Sequence, residues 1–270
     1  MPQLIRDDIS LYYEVKGVGE PLLLIAGLAS DSQSWQPILS DLTAQYQVVI
    51  YDNRGVGRTL PHSAASSIQK MADDAIALLD HLGMASTTII GHSMGGMIAQ
   101  HLASHYPHRV NRLILLATAA QNSARNNQLF HDWLDYWRAG LPPDLWFKNV
   151  FYWIFSSDFF NSSESVQQAV AYAISYPYPQ SLEGFERQVT ALLHANLTGQ
   201  LSSIHQPTLI VYAENDLVFP ANEVLTGLIQ ISHHHCVMIE KSGHSLVVEK
   251  PTAVAQIILK FLASHSRLRG

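Results

Sequence analysis

Apolar positions along the chain follow two alternating rhythms. LLLIA at 22–26, QVVIY at 47–51, TTIIG at 87–91, RLILLA at 112–117, TLIVYA at 208–213 and CVMIE at 236–240 are short apolar runs with little alternation. Runs of that kind predict strands covered on both faces, as in a parallel sheet. Helical spacing fills the intervals at 34–44, 67–82, 95–105, 221–231 and 252–264. In the second of these, Ile68, Met71, Ala75, Ile76, Leu78, Leu79 and Leu82 share one face, and Asp73, Asp74 and Asp80 are expected to look to water. The alternation predicts an α/β fold, a mostly parallel central sheet flanked by helices. Ahead of it, segments 3–6 and 10–16, separated by Asp7-Asp8, are expected to form an antiparallel edge.

Between 118 and 200 the strand rhythm stops. Four of the five tryptophans, Trp133, Trp137, Trp146 and Trp153, fall there, among helical patterns too long for a loop. The expected organisation is a core domain made of residues 1–117 and 201–270, with an inserted helical cap over 118–200.

A chain of 270 residues, 47% apolar and 14% charged, has enough apolar material for one large core. Its net charge of -6 offers no basic surface for nucleic acid, so no nucleic-acid partner is expected. The lone cysteine, Cys236, excludes an internal disulfide and reads as a buried, inert thiol. The N-terminal stretch lacks an apolar leader and no run is long enough to span a membrane, which makes the cytoplasm the expected compartment. His233, His234 and His235 are consecutive, and neighbours on a strand point to opposite faces, so no metal site is expected of them.

The candidate chemistry sits where a strand rhythm turns into a helix. In TIIGHSMGG, glycines at 91 and 95 flank Ser93, the G-x-S-x-G pattern of a strained turn that lifts a serine hydroxyl above the strand. A serine is a weak nucleophile without a base and a group to orient that base. Asp216, in AENDLVFP, follows one predicted strand, and His244, in KSGHS, follows the last. The chain order Ser93, Asp216, His244 places all three beyond strand ends at one edge of the sheet.

With these motifs the chain resembles the α/β-hydrolase fold superfamily over nearly its whole length. The segment YDNRGVGRT at 51–59 resembles the family's Asp-x-Arg-Gly-x-Gly loop, in which Arg54 reads as a packing or ion-pair residue. The resemblance implies Ser93, Asp216 and His244 as catalytic triad and the backbone amides of Leu28 and Met94 as oxyanion donors. Many members carry His-Gly in the first donor loop; here it is Ala26-Gly27. The implied activity is cleavage of a carboxylic ester, lactone or enol-lactone through an acyl-serine. Carbon-carbon hydrolysis of ring-cleavage products and serine haloperoxidase or perhydrolase chemistry share the same motifs, and a non-catalytic small-molecule receptor is the alternative of another class. Trp133, Trp137 and Trp153 are candidate substrate-binding residues for a small or medium apolar small-molecule substrate. No cofactor is required.

Overall fold

A computed structural model describes residues 2–266. Eight strands, β1 (Gln3–Ile5), β2 (Ser10–Lys16), β3 (Glu20–Ile25), β4 (Tyr46–Tyr51), β5 (Thr87–His92), β6 (Val110–Leu116), β7 (Thr208–Ala213) and β8 (His234–Ile239), form one sheet. Its order is β1-β2-β4-β3-β5-β6-β7-β8. β1 and β2 run antiparallel at one edge, and β3 through β8 are mutually parallel. The apolar runs divide by residue parity: Leu23, Ile25, Val49 and Ile89 enter one core, while Leu22, Leu24, Val48, Ile50 and Ile90 enter the other. Both faces of the central strands are dry, which is why their sequences show little alternation.

Helices α1 (Gln36–Thr43), α2 (Ile68–His81) and α3 (Met94–His105) connect the first parallel strands. Four more, α4 (Ala124–Arg138), α5 (Pro143–Ile154), α6 (Ser163–Ile174) and α7 (Leu182–Leu193), lie between β6 and β7. Then come α8 (Ala221–Leu228), α9 (Leu246–Glu249) and α10 (Pro251–Ser266). Ser67 caps α2 by accepting from the Lys70 N–H at 3.0 Å, and Ile68, Met71, Ala75, Leu78 and Leu79 are buried. The insert packs α4 on α7 and α5 on α6. Phe151, Phe155 and Val170 form a small core of its own.

Several local expectations need correction. Asp74 does not face water: it is 1% exposed, because the side chain of Arg54 donates to its Oδ1 at 2.9 Å and to its Oδ2. Arg54 also pairs with Asp8 at 2.6 Å, so the arginine of the 51–59 loop clamps α2 to the β1–β2 turn. The helix expected from residue 34 opens with a 3-10 turn at Ser32–Trp35, capped by the Asp31 carboxylate, before α1 starts. β8 starts two residues ahead of the expected segment, taking in His234 and His235, both exposed. Cys236 is half-buried, not buried, because β8 is an edge strand; partial burial pushes its thiol pKa up.

Candidate active site

Ser93 stands between the end of β5 and the start of α3 with φ 54° and ψ -122°. A residue with a Cβ rarely adopts a positive φ, and the surrounding glycines make the turn possible. A Cβ at Gly91 would meet the Gly95 carbonyl oxygen at 2.3 Å, and one at Gly95 would meet the Ile25 carbonyl oxygen at 2.0 Å. The Thr118 hydroxyl donates to the Ser93 carbonyl at 2.7 Å, and the Ser93 N–H donates to Leu116 at 3.0 Å. The serine is thus gripped through its backbone while its hydroxyl stays available.

Asp216 lies in the turn after β7, where its Oδ1 accepts the N–H groups of Val218 and Phe219, each at 2.8 Å. Its Oδ2 is 2.9 Å from His244 Nδ1, and His244 Nε2 is 2.9 Å from Ser93 Oγ. An ionised carboxylate only accepts hydrogen bonds. The proton of a neutral His244 therefore sits on Nδ1, leaving Nε2 to accept from the serine. Ser93, Asp216 and His244 are only 8%, 4% and 6% exposed. Burial of that degree keeps competing water away from the two bonds.

The loop bearing His244 is tied down on three sides. His92 Nε2 lies 2.9 Å from the His244 carbonyl oxygen, a bond in which the ring N–H donates. Ser245 N–H donates to Ile154 O, at the end of α5, at 2.8 Å. Glu249 accepts the Gly243 N–H at 2.8 Å through one oxygen, and through the other the Ser156 N–H at 3.1 Å and hydroxyl at 2.5 Å. His92 keeps a partly exposed edge, yet burial and the adjacent His244 ring push its pKa down to about 4, so it is neutral at pH 7.

Across from the serine, the 27–30 loop leaves β3. Among the described residues, neither the Leu28 N–H nor the Met94 N–H has a hydrogen-bond partner. The Asn53 amide holds the start of this loop by donating to the Ala26 carbonyl at 3.1 Å. A cavity of about 230 Å³ opens between this loop, Ser93, His244 and the insert. A larger hollow of about 380 Å³ lies beside α8 and 119–123, but neither Ser93, Asp216 nor His244 lines it. Volume and candidate chemistry separate here, and the smaller space is the one that meets the serine.

A family model described as alpha/beta hydrolase fold matches residues 20–251. The chain belongs to that family. RutD from Pantoea ananatis, named as a carbamate hydrolase, is 27% identical across 94% of this chain and 95% of its own. BpoC from Mycobacterium tuberculosis, named as a non-heme bromoperoxidase, is 30% identical across 95% and 98%. An esterase structure from Thermogutta terrifontis superposes with a TM-score of 0.84 at 25% identity, over 95% of this chain and 94% of that one.

Within this alpha/beta hydrolase, the structure brings together Ser93, Asp216 and His244; Leu28 lines the same cavity as Ser93, and Met94 follows the serine as the first residue of α3. The three expected tryptophans part company. Trp133 lines the cavity, with its indole N–H on Asn149 at 3.1 Å. Trp137 does not; it packs on Trp146 and Phe185, with ring centres 5.0 and 5.2 Å away. Trp153 does not line it either, and lies 5.8 Å from the Arg125 guanidinium. Helical phase does not separate them: Trp137 is four residues on from Trp133 and Trp153 seven on from Trp146, so each shares its partner's side of the helix and differs in its place along the axis. The face of α5 toward the cavity carries Trp146, Phe147, Val150, Phe151 and Ile154. Their spacing of one, three, one and three residues follows one side of a helix. The apolar stripe on α5 was legible in the sequence, as was the apolar pair Phe130 and Trp133 on α4, but which turns of each helix reach the cavity was not. Gln188 and Glu249, by contrast, carried no sequence mark.

Proposed function

We propose that this protein is a serine hydrolase that cleaves a carboxylic ester or lactone of a small, uncharged, apolar acyl group through an acyl-serine intermediate. The observation that carries the reading is the unbroken pair of 2.9 Å bonds from Asp216 through His244 to Ser93. His244 Nε2 takes the Ser93 proton as Oγ attacks the carbonyl carbon. The Leu28 and Met94 N–H groups receive the negative charge that develops on the carbonyl oxygen, an effect of about 10² to 10³-fold per donor. His244 then gives its proton to the leaving oxygen, and the alcohol departs. A water activated by the same imidazole attacks the acyl-serine and frees the acid, while Asp216 stabilises the imidazolium throughout.

The relatives' names span carbamate, halide and ester chemistry, so the acyl preference is argued from the cavity. Its wall carries no lysine, arginine, aspartate or glutamate, and its insert side is aromatic and aliphatic. A carboxylate on the acyl chain would lose hydration with no cation to receive it. Neutral acyl groups fit that wall. Residues 118–200 act in this reading as a cap that supplies the apolar wall.

The test is labelling with a fluorophosphonate followed by peptide mapping, and turnover of p-nitrophenyl butyrate. Wild type is expected to be labelled at Ser93 and to turn the ester over, and Ser93→Ala is expected to lose about 10⁴-fold or more in kcat. Undiminished turnover by Ser93→Ala would overturn the proposal.

A further inference from the structure

The 27–30 loop has to aim one peptide N–H, and its own sequence is poorly suited to holding it still. Gly27 to Ser30 form a β-turn closed by the Ser30 N–H donating to Gly27 O at 3.3 Å. Ala29 occupies the third position of that turn with φ 56°, where glycine or asparagine is usual. A side chain at Gly27 would crowd the nucleophile, because a Cβ there would stand 3.0 Å from Ser93 Cβ.

We propose that Gln188, on α7 of the insert, is a positioning residue that sets the Leu28 amide for oxyanion binding; the inference rests on the acyl-serine reading above. Gln188 is fully buried at 0% exposure. Its Oε1 accepts the Ala29 N–H at 3.1 Å and the Gln180 side-chain amide at 3.0 Å, and its Nε2 donates to the Arg54 carbonyl at 2.7 Å. Those partners fix which end of the amide points where. A backbone donor stands at one end and a backbone acceptor at the other, so a flipped amide would face both with the wrong group.

The consequence for Leu28 is geometric. Asn53 pins the peptide plane between Ala26 and Gly27, and Gln188 pins the plane between Leu28 and Ala29. The Gly27–Leu28 peptide, which carries the donor N–H, lies between two planes that are both anchored. One anchor comes from the core and the other from the insert, so seating of the insert and aim of the oxyanion donor are linked through one side chain. Displacing a donor by a fraction of an ångström weakens its hold on a developing charge far more than it weakens binding of a neutral substrate.

Gln188→Leu removes all three bonds at similar bulk, and Gln188→Glu keeps an acceptor for Ala29 but turns an oxygen toward the Arg54 carbonyl. For both variants the expected result with p-nitrophenyl butyrate is a kcat lowered about 10 to 100-fold, with KM within about 3-fold of wild type. Affinity for a butyl trifluoromethyl ketone, which forms an oxyanion on Ser93, should fall in parallel with kcat. Affinity for the unfluorinated ketone should hold. Wild-type kcat in folded Gln188→Leu protein, or equal loss of affinity for both ketones, would overturn the proposal. If the variants do not fold, amide hydrogen exchange on wild type decides: a protected Ala29 N–H supports the contact, and free exchange there removes it. A wild type that neither takes the fluorophosphonate nor turns over the ester defeats the acyl-serine reading instead, and with it the positioning role given to Gln188, whatever the Ala29 exchange shows.

Discussion

His92 precedes the candidate nucleophile and lines the same cavity, but its Nε2–H is spent on the His244 carbonyl. Its pKa, lowered from 6.5 to about 4 chiefly by burial, has a consequence for stability. The unfolded chain takes up a proton on this residue below pH 6.5, whereas the folded one does so only near pH 4. Stability from this group is therefore complete above pH 6.5 and is lost as pH falls toward 4, by at most about 1.4 kcal/mol per pH unit. Urea denaturation across pH 4 to 7 should show that decline, and His92→Gln should have a shallower one in the same window. An identical slope in the variant would mean that other groups cause the acid sensitivity.

Where elements meet, the glycine with the least room for a Cβ among the described residues lies between α3 and β3. Gly95 sits with its would-be Cβ 2.0 Å from the Ile25 carbonyl oxygen, so backbone meets backbone with no flexible side chain to yield. Gly95→Ala is expected to cost at least the 1–3 kcal/mol or so typical of overpacking. It should also disturb Ser93, since the helix can move only by turning the elbow; thermal melts and fluorophosphonate labelling rate would report the two effects. Glu249 is the corresponding joint between α9, the His244 loop and the end of α5. Its carboxylate takes three donors from Gly243 and Ser156. Glu249→Ala leaves those donors without it and should lower stability by about 2 kcal/mol or more. Because Gly243 adjoins His244, kcat should fall with it. A chemical-denaturation curve unchanged from wild type would refute the role.

At the scale of the molecule, the sheet supplies the serine side of the cavity and the insert supplies the opposite wall. A volume of about 230 Å³ is below the roughly 300–1,000 Å³ of ordinary ligand pockets. Among p-nitrophenyl esters, kcat/KM is expected to peak at butyrate to hexanoate and to drop at least about 10-fold by dodecanoate, since a longer chain must stay in water or force the insert open. A neutral acyl ester should exceed its ω-carboxylate counterpart by about 100-fold or more, the cost of stripping water from an unpaired charge. A steady rise in rate out to dodecanoate, or equal rates for neutral and carboxylate chains, would contradict a small apolar acyl site.

The sequence by itself determined the sheet, because residues buried on both faces must be apolar at every position, and runs such as LLLIA and TLIVYA state that locally. It also marked Ser93, whose strained turn demands glycines within two residues on either side. Asp216 and His244 were legible for a related reason: each follows directly on a strand, so topology fixes its place. The tertiary structure alone decided contacts between elements far apart in the chain. Asp74 read as a solvent-facing helix residue until Arg54 reached it, and Gln188 is unremarkable in α7 until the 27–30 loop and Arg54 close around its amide. A side chain's hydrogen-bond partner depends on which segments the fold lays beside it, and local spacing holds no record of that.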